Sequence, residues 1–163
     1  PPSRFASMLT LLPVLLAVGA GLVGGVFFAF STFVMKALAQ LPPEQGAAAM
    51  QRINVVVMNP VFLGLFVGTA LVAAIAAVGA VLSWGSLRSG LLLAAGALYV
   101  VGSFGVTAAF NVPRNERLAR LQPESNEGKA YWPVYVREWL FWNHVRTLAS
   151  ASAAVAATVS MAH

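Results

Sequence analysis

REWLFWNHVRTLASASAAVAATVSMA, residues 137 to 162, joins a polar, aromatic head to an Ala/Val-rich tail. From about Trp139 to Met161 it is apolar enough to cross a bilayer as a helix, which takes roughly 20 residues. Asn143, His144 and Arg146 are carried in with it. At about 100° per residue, Trp139, Trp142, Asn143 and Arg146 fall in one stripe, with Arg137 and His144 on a neighbouring face. An arginine near mid-membrane costs about 2.5–3.5 kcal/mol on insertion scales. Snorkelling between interfacial tryptophans would explain Arg146, Trp139 and Trp142, but it leaves Asn143 and His144 without a role. A water-accessible pocket facing a helix bundle accounts for all five.

The rest of the chain also points to a bilayer. Of its 163 residues 59% are hydrophobic and 9% charged, with a mean hydropathy of +0.78; a soluble domain carries about 25% charged residues. Three further stretches are long enough to span: about Met8 to Met35, Val61 to Trp84 and Leu91 to Phe110. A cleaved signal peptide fits the first one poorly, because its apolar run exceeds a signal core and no cleavage site follows. Backbone groups in hydrocarbon must bond internally, so the spans are helices. The expected fold is all-α: a four-helix transmembrane bundle, up-down antiparallel, forming one integral membrane domain over residues 1–163. Gly21 with Gly25, Gly64 with Gly68, and Ala153 with Ala157 are expected to let helices approach within the bundle, with a homo-oligomer interface as the lesser use.

The connections are unequal. SWGSLRSG (83–90) is a tight turn. ALAQLPPEQGAAAMQRINVVVMNP (37–60) holds a short extra helix from about Pro43 to Met58, started by Pro43 and Glu44 and ended near Asn59-Pro60. NVPRNERLARLQPESNEGKAYWPVYVRE (111–138) holds another near Glu116 to Leu121. Both long connections fall on one side. With them go Lys36, Arg52, Arg114, Arg117, Arg120, Lys129 and Arg137, against Arg4 and Arg88 on the other side. The positive-inside tendency puts the long loops in the cytoplasm and both termini outside, in a bacterial inner membrane. The absence of cysteine excludes disulfide and CxxC redox chemistry. A net charge of +5 without a basic run excludes a nucleic-acid partner. Membrane lipids and a hydrophobic small molecule are the expected partners.

Polar residues collect at the cytoplasmic end. Asn111 closes the third span, where Pro113 bends the exit. Gln51 and Asn54, at i and i+3, share a face of the loop helix. Asn59, Asn111 and Asn115 each suit helix capping as well as a site. The opposite end offers little beyond Ser83, Trp84, Ser86, Arg88 and Ser89.

AAAMQRINVVVMNPVF (47–62), NVPRNERLA (111–119) and EWLFWNHVRT (138–147) resemble the motifs of the anthrone oxygenase-like family of small four-span membrane proteins. The likeness runs from about Gly24 to Ala153 in the same order and spacing. It implies oxidation of polycyclic anthrones to anthraquinones by molecular oxygen, without a bound cofactor. Carried over by motif, the site positions are Gln51, Asn54, Asn59, Asn111, Asn115, Trp139, Trp142, Asn143, His144 and Arg146. An anthrone ionises to an aromatic enolate, so the protein needs a base, an oxyanion clamp and a flat slot. Histidine ordinarily titrates near neutrality, which makes His144 the base. Arg146 and Asn143 stabilise the oxyanion. Trp139 and Trp142 stack on the ring, and Gln51, Asn54, Asn59, Asn111 and Asn115 complete the substrate site. No metal is expected, because paired Glu-x-x-His motifs are absent. Haem on His144 is a lesser alternative, since no second histidine lies within a span. A non-catalytic four-helix module binding a lipid, a small hydrophobic ligand or a partner protein also fits.

Overall fold

The computed structural model describes the backbone of residues 4–163 and the side chains of residues 11–163, so the topological reading of Arg4 concerns a side chain outside the described residues. Five helical rods make up the described chain, and no strand occurs among the described residues. The first joins α1 (Arg4–Ala29) to α2 (Met35–Ala39) through a π-helical turn at Phe30–Val34. Then come α3 (Pro43–Val56) and α4 (Pro60–Leu82). Not counting the short α3, the third rod is α5 (Leu87–Ala97), which runs through π-helical Leu98–Gly105 and Thr107–Asn111 into α6 (Val112–Ala119). The last is α7 (Asn126–Ser160), 35 residues long.

Local chemistry sets the helix starts. Pro43 occupies the first turn of α3, with Glu44 placed against the positive end of the dipole. The Asn59 side chain accepts from the Val61 and Phe62 amides at the start of α4, and Pro60 needs no partner there. Ser86 and Ser125 cap α5 and α7 in the same way. In the tight turn between α4 and α5, Gly85 takes φ +131°, a conformation that costs other residues strain.

Leu11–Ala39, Pro60–Leu82 and Leu87–Ala119 are each long and apolar enough to cross a membrane, with mean hydropathies of 2.3, 2.5 and 1.9. Their outward faces carry exposed Leu22, Leu71, Ile75 and Val101. An apolar surface that continuous has lipid as its solvent, and the protein is an integral membrane protein. The second half of α7 likewise exposes Leu148 and Val155, while its first half carries Lys129, Arg137 and Glu138.

Three expectations about the elements need correction. The third apolar stretch does not end at Phe110, and the short helix expected near Glu116 is the end of the same rod. In the π-helical turn the Val112 amide bonds five residues back to the Thr107 carbonyl, and Arg114 Nη1 takes up the Phe110 carbonyl at 2.8 Å. A local rearrangement of this kind accommodates Pro113 without ending the helix. Second, α7 begins at Asn126 rather than Trp139 and contains Pro133. Third, β-carbons at Gly21, Gly25, Gly64 and Gly68 would meet open space, so these glycines bring no helices together within the bundle. Ala153 and Ala157 are fully buried, as expected.

The first rod packs along α7 and also against α4, and the α5–α6 rod packs against both α4 and α7. α3 lies across one end, against α7, α2 and α6. Gly46 permits its closest approach: a β-carbon there would run into the Leu38 carbonyl and the Trp132 ring. Two hydrophobic clusters result. One, around Leu16, Val23, Phe27, Phe66, Tyr99 and Ala153, fills the centre of the helix assembly. The other, around Met35, Met50, Leu118, Tyr131, Trp132, Tyr135 and Trp139, fastens α3 and α6 to the first half of α7.

Candidate functional site

Where the two clusters meet they leave a cavity of about 290 Å³. Phe27 and Phe30 of the first rod, Met50, Ile53 and Asn54 of α3, Phe62 and Phe66 of α4, Phe104, Thr107 and Asn115 of the third rod, and Trp139 and Arg146 of α7 form its walls. The volume is at the lower end of the range for small-molecule sites, roughly 300–1,000 Å³. Val67, Ala108 and Val112 also line it and are exposed on the outer surface. α4 packs against the third rod from α5 through Gly105, and no comparable packing joins it to Thr107–Asn111 or α6. The cavity therefore has an apolar side opening between these helices, and exposed Val26 and Met58 line it elsewhere.

Arg146 is the one charged residue on the cavity wall. It is 5% exposed, and among the described residues no carboxylate lies within ion-pairing distance. Nη2 donates to Asn143 Oδ1 at 2.6 Å and Nη1 to Thr107 Oγ1 at 3.0 Å, while Nε has no partner. The guanidinium carbon lies 4.0 Å from the Phe27 ring centroid and 5.1 Å from that of Trp139. Such faces are worth about 2 kcal/mol when desolvated, and hydrogen bonds to a charged group about 1.5–3 kcal/mol each. These contacts hold the cation but do not neutralise it.

Asn143 is fully buried and fully occupied. Both Nδ2 hydrogens are donated, to the Phe27 carbonyl and Ser31 Oγ at 2.8 Å each, and Oδ1 accepts from Arg146. Ser31 lies in the π-helical turn of the first rod, a kind of distortion that recurs at functional sites. Thr107, in the third rod's second π segment, donates to the Ser103 carbonyl and receives Arg146. Asn143 therefore positions Arg146 and does not itself line the cavity.

The other anticipated residues divide. Trp139 lines the cavity, and its Nε1 is buried without a partner. Asn54 and Asn115 line it too, joined through Tyr135: the Tyr135 hydroxyl donates to Asn115 Oδ1 at 2.8 Å, and Asn54 Nδ2 points to that hydroxyl at 3.5 Å. Burial pushes the Tyr135 phenol well above its usual range, with Asn54 and the Arg146 charge opposing, so it stays a neutral donor. Gln51, in contrast, donates to the Leu118 and Leu121 carbonyls and so caps the end of α6. Asn59 caps α4, and Asn111 donates to the Trp139 carbonyl from outside the cavity lining. Trp142 stacks on Phe110 with centroids 3.5 Å apart, away from the cavity.

His144 is exposed and does not line the cavity, contrary to its expected place as a base. The reason is angular: five residues beyond Trp139, it sits about 140° around the helix from it. A haem ligated there would lie outside the cavity. Among the described residues no group of three or more His, Cys, Asp or Glu side chains could hold a metal ion. Sequence reasoning missed Phe27, Thr107 and Tyr135. Only Tyr135 left a signal, four residues before Trp139 on the same stripe.

A family model described as anthrone oxygenase matches residues 58–156. No curated protein and no solved structure matches the chain. The matched region contains Thr107, Asn115, Tyr135, Trp139, Asn143 and Arg146, whereas Phe27 and Asn54 precede it. With more than half of its length matched, and its buried arginine and the partners Thr107 and Asn143 inside that region, the chain belongs to the anthrone oxygenase family.

Proposed function

We propose that the cavity holds a planar hydrophobic ring compound as its oxyanion while dioxygen oxidises it, without a cofactor. The observation that carries the reading is Arg146, a buried cation with no carboxylate partner on the wall of an apolar, aromatic-lined cavity. Such a charge is costly in a low-dielectric site, and an anionic oxygen would complete it. The family supplies the reaction class. An anthrone loses the proton opposite its ketone to give an aromatic enolate, whose oxygen Arg146 stabilises. Phe27, Phe66 and Trp139 offer flat faces to the ring. Electrons pass from the enolate to dioxygen, and anthrone plus O2 gives anthraquinone plus water. No carboxylate or imidazole lines the cavity, so the proton passes to water.

Oxygen uptake with anthrone in nanodiscs tests this. Consumption well above the protein-free rate is expected, and His144→Ala should leave it unchanged because the side chain lies outside the cavity. Uptake no faster than in protein-free nanodiscs would remove the catalytic reading. The lack of a proton acceptor in the cavity favours one alternative, a non-catalytic module that binds the same ligands. A rise in melting temperature with anthrone but no uptake would select it.

The second half of α7 completes a four-helix, up-down transmembrane bundle in this reading, with the long connections in the cytoplasm of a bacterial cell. The chain has no cysteine, so single-cysteine labelling carries no background. With a membrane-impermeant maleimide, Trp84→Cys and Ala162→Cys should react on intact spheroplasts and Glu124→Cys only after lysis. Labelling of both Ala162→Cys and Glu124→Cys only after lysis would mean that α7 does not cross.

A further inference from the structure

We infer that the cavity selects ligands with two oxygen functions at opposite ends of a flat body, an oxyanion at Arg146 and a neutral hydroxyl at Asn54 and Asn115. The inference rests on the proposed role of Arg146 as the anion clamp. The cavity has two polar poles, and they differ in kind. At the inner pole every unspent polar group on a lining residue is a donor. Arg146 uses two of its five N–H groups, which leaves three to donate. The Thr107 hydroxyl hydrogen is already given to the Ser103 carbonyl. A charged, donor-only pole matches an oxygen that only accepts.

The outer pole is uncharged and two-sided. Tyr135 ties Asn115 by its oxygen and Asn54 by its nitrogen, which leaves an amide N–H of Asn115 and the amide oxygen of Asn54 unspent. A donor beside an acceptor matches a hydroxyl, which does both. Apolar residues, among them Met50, Phe62 and Phe66, line the space between the poles. Eight residues, about two turns, separate Thr107 from Asn115 along one rod, so the poles sit at different levels of the cavity, an arrangement suited to an elongated ligand.

The test uses three probes that share one fused-ring body: 2-naphthol, 2,6-dihydroxynaphthalene and 2,3-dihydroxynaphthalene. Each is titrated calorimetrically into the full-length protein in detergent. Two added neutral hydrogen bonds predict that the 2,6-diol binds about tenfold tighter than 2-naphthol. The 2,3-diol, with both hydroxyls at one end, should bind like 2-naphthol. In Asn54→Ala/Asn115→Ala the preference for the 2,6-diol should vanish while 2-naphthol affinity holds, which also reports that the variant is folded. Equal binding of all three probes by wild type would overturn the two-pole inference and leave the anion clamp standing, and it needs no variant. Binding of none would remove the clamp reading and this inference with it.

Discussion

Arg146→Met is expected to lower oxygen-dependent turnover by about 10²–10³-fold, the usual cost of removing a preorganised oxyanion donor. Methionine keeps length and apolar bulk but removes the charge. Two effects on stability oppose each other. The variant strands Asn143 Oδ1 and loses the bond to Thr107, at about 1–3 kcal/mol. It also removes a buried cation that no carboxylate balances, and with it a desolvation penalty of several kcal/mol. The melting temperature should therefore stay near that of wild type while turnover collapses. Arg146→Lys should fall between, since one ammonium cannot reproduce the fork that reaches both Asn143 and Thr107. An oxygen electrode and a melting curve in the same detergent decide it. Turnover of the methionine variant within tenfold of wild type would exclude Arg146 as the clamp.

Asn143→Ala should have the opposite profile, a stability effect first. The substitution leaves Arg146 Nη2, the Phe27 carbonyl and Ser31 Oγ each short of a bond at a fully buried position. Breaking a buried network that contains a charge costs about 3–5 kcal/mol. Ser31→Ala removes one of the three bonds, and Ser31 Oγ also lies 3.0 Å from Thr147 Oγ1 of α7. Its loss should be about 1 kcal/mol. Chemical or thermal denaturation ranks the two variants. A wild-type melting curve for Asn143→Ala would mean that the network does not join α7 to the first rod.

The apolar stretches and the short helix over Pro43–Val56 were legible because period, proline and capping residues are local signals. So was the stripe that buries Trp139, Asn143 and Arg146, because seven residues make about two turns whatever the helix touches. Local rules failed at Pro113, read as the bend at the exit of a span, where the helix instead continues. At Pro113 the π-helical turn that admits it is a property of the assembled helix. They failed again at Gln51, whose amide caps a helix 67 residues further on. The angular position of His144 was readable, on a face beside the stripe, and that place on the helix keeps its side chain out of the cavity lining. Thr107 and Phe27 had no sequence signal, because their importance comes from meeting Arg146 across the assembly.

The sideways opening between α4 and the third rod turns the bilayer into the solvent from which affinity must be counted. A ligand that enters over Val67, Ala108 and Val112 arrives as a lipid-dissolved solute, so what matters is its mole fraction in the membrane. Its partition coefficient multiplies whatever the cavity contributes, and a ring compound too polar to partition is rejected before it meets Arg146. The same reasoning governs measurement in micelles. Doubling the detergent at fixed ligand halves the micellar concentration of a strongly partitioning compound and should halve occupancy in the unsaturated range. An apparent dissociation constant that scales with detergent concentration is thus the expected signature of entry from the lipid side.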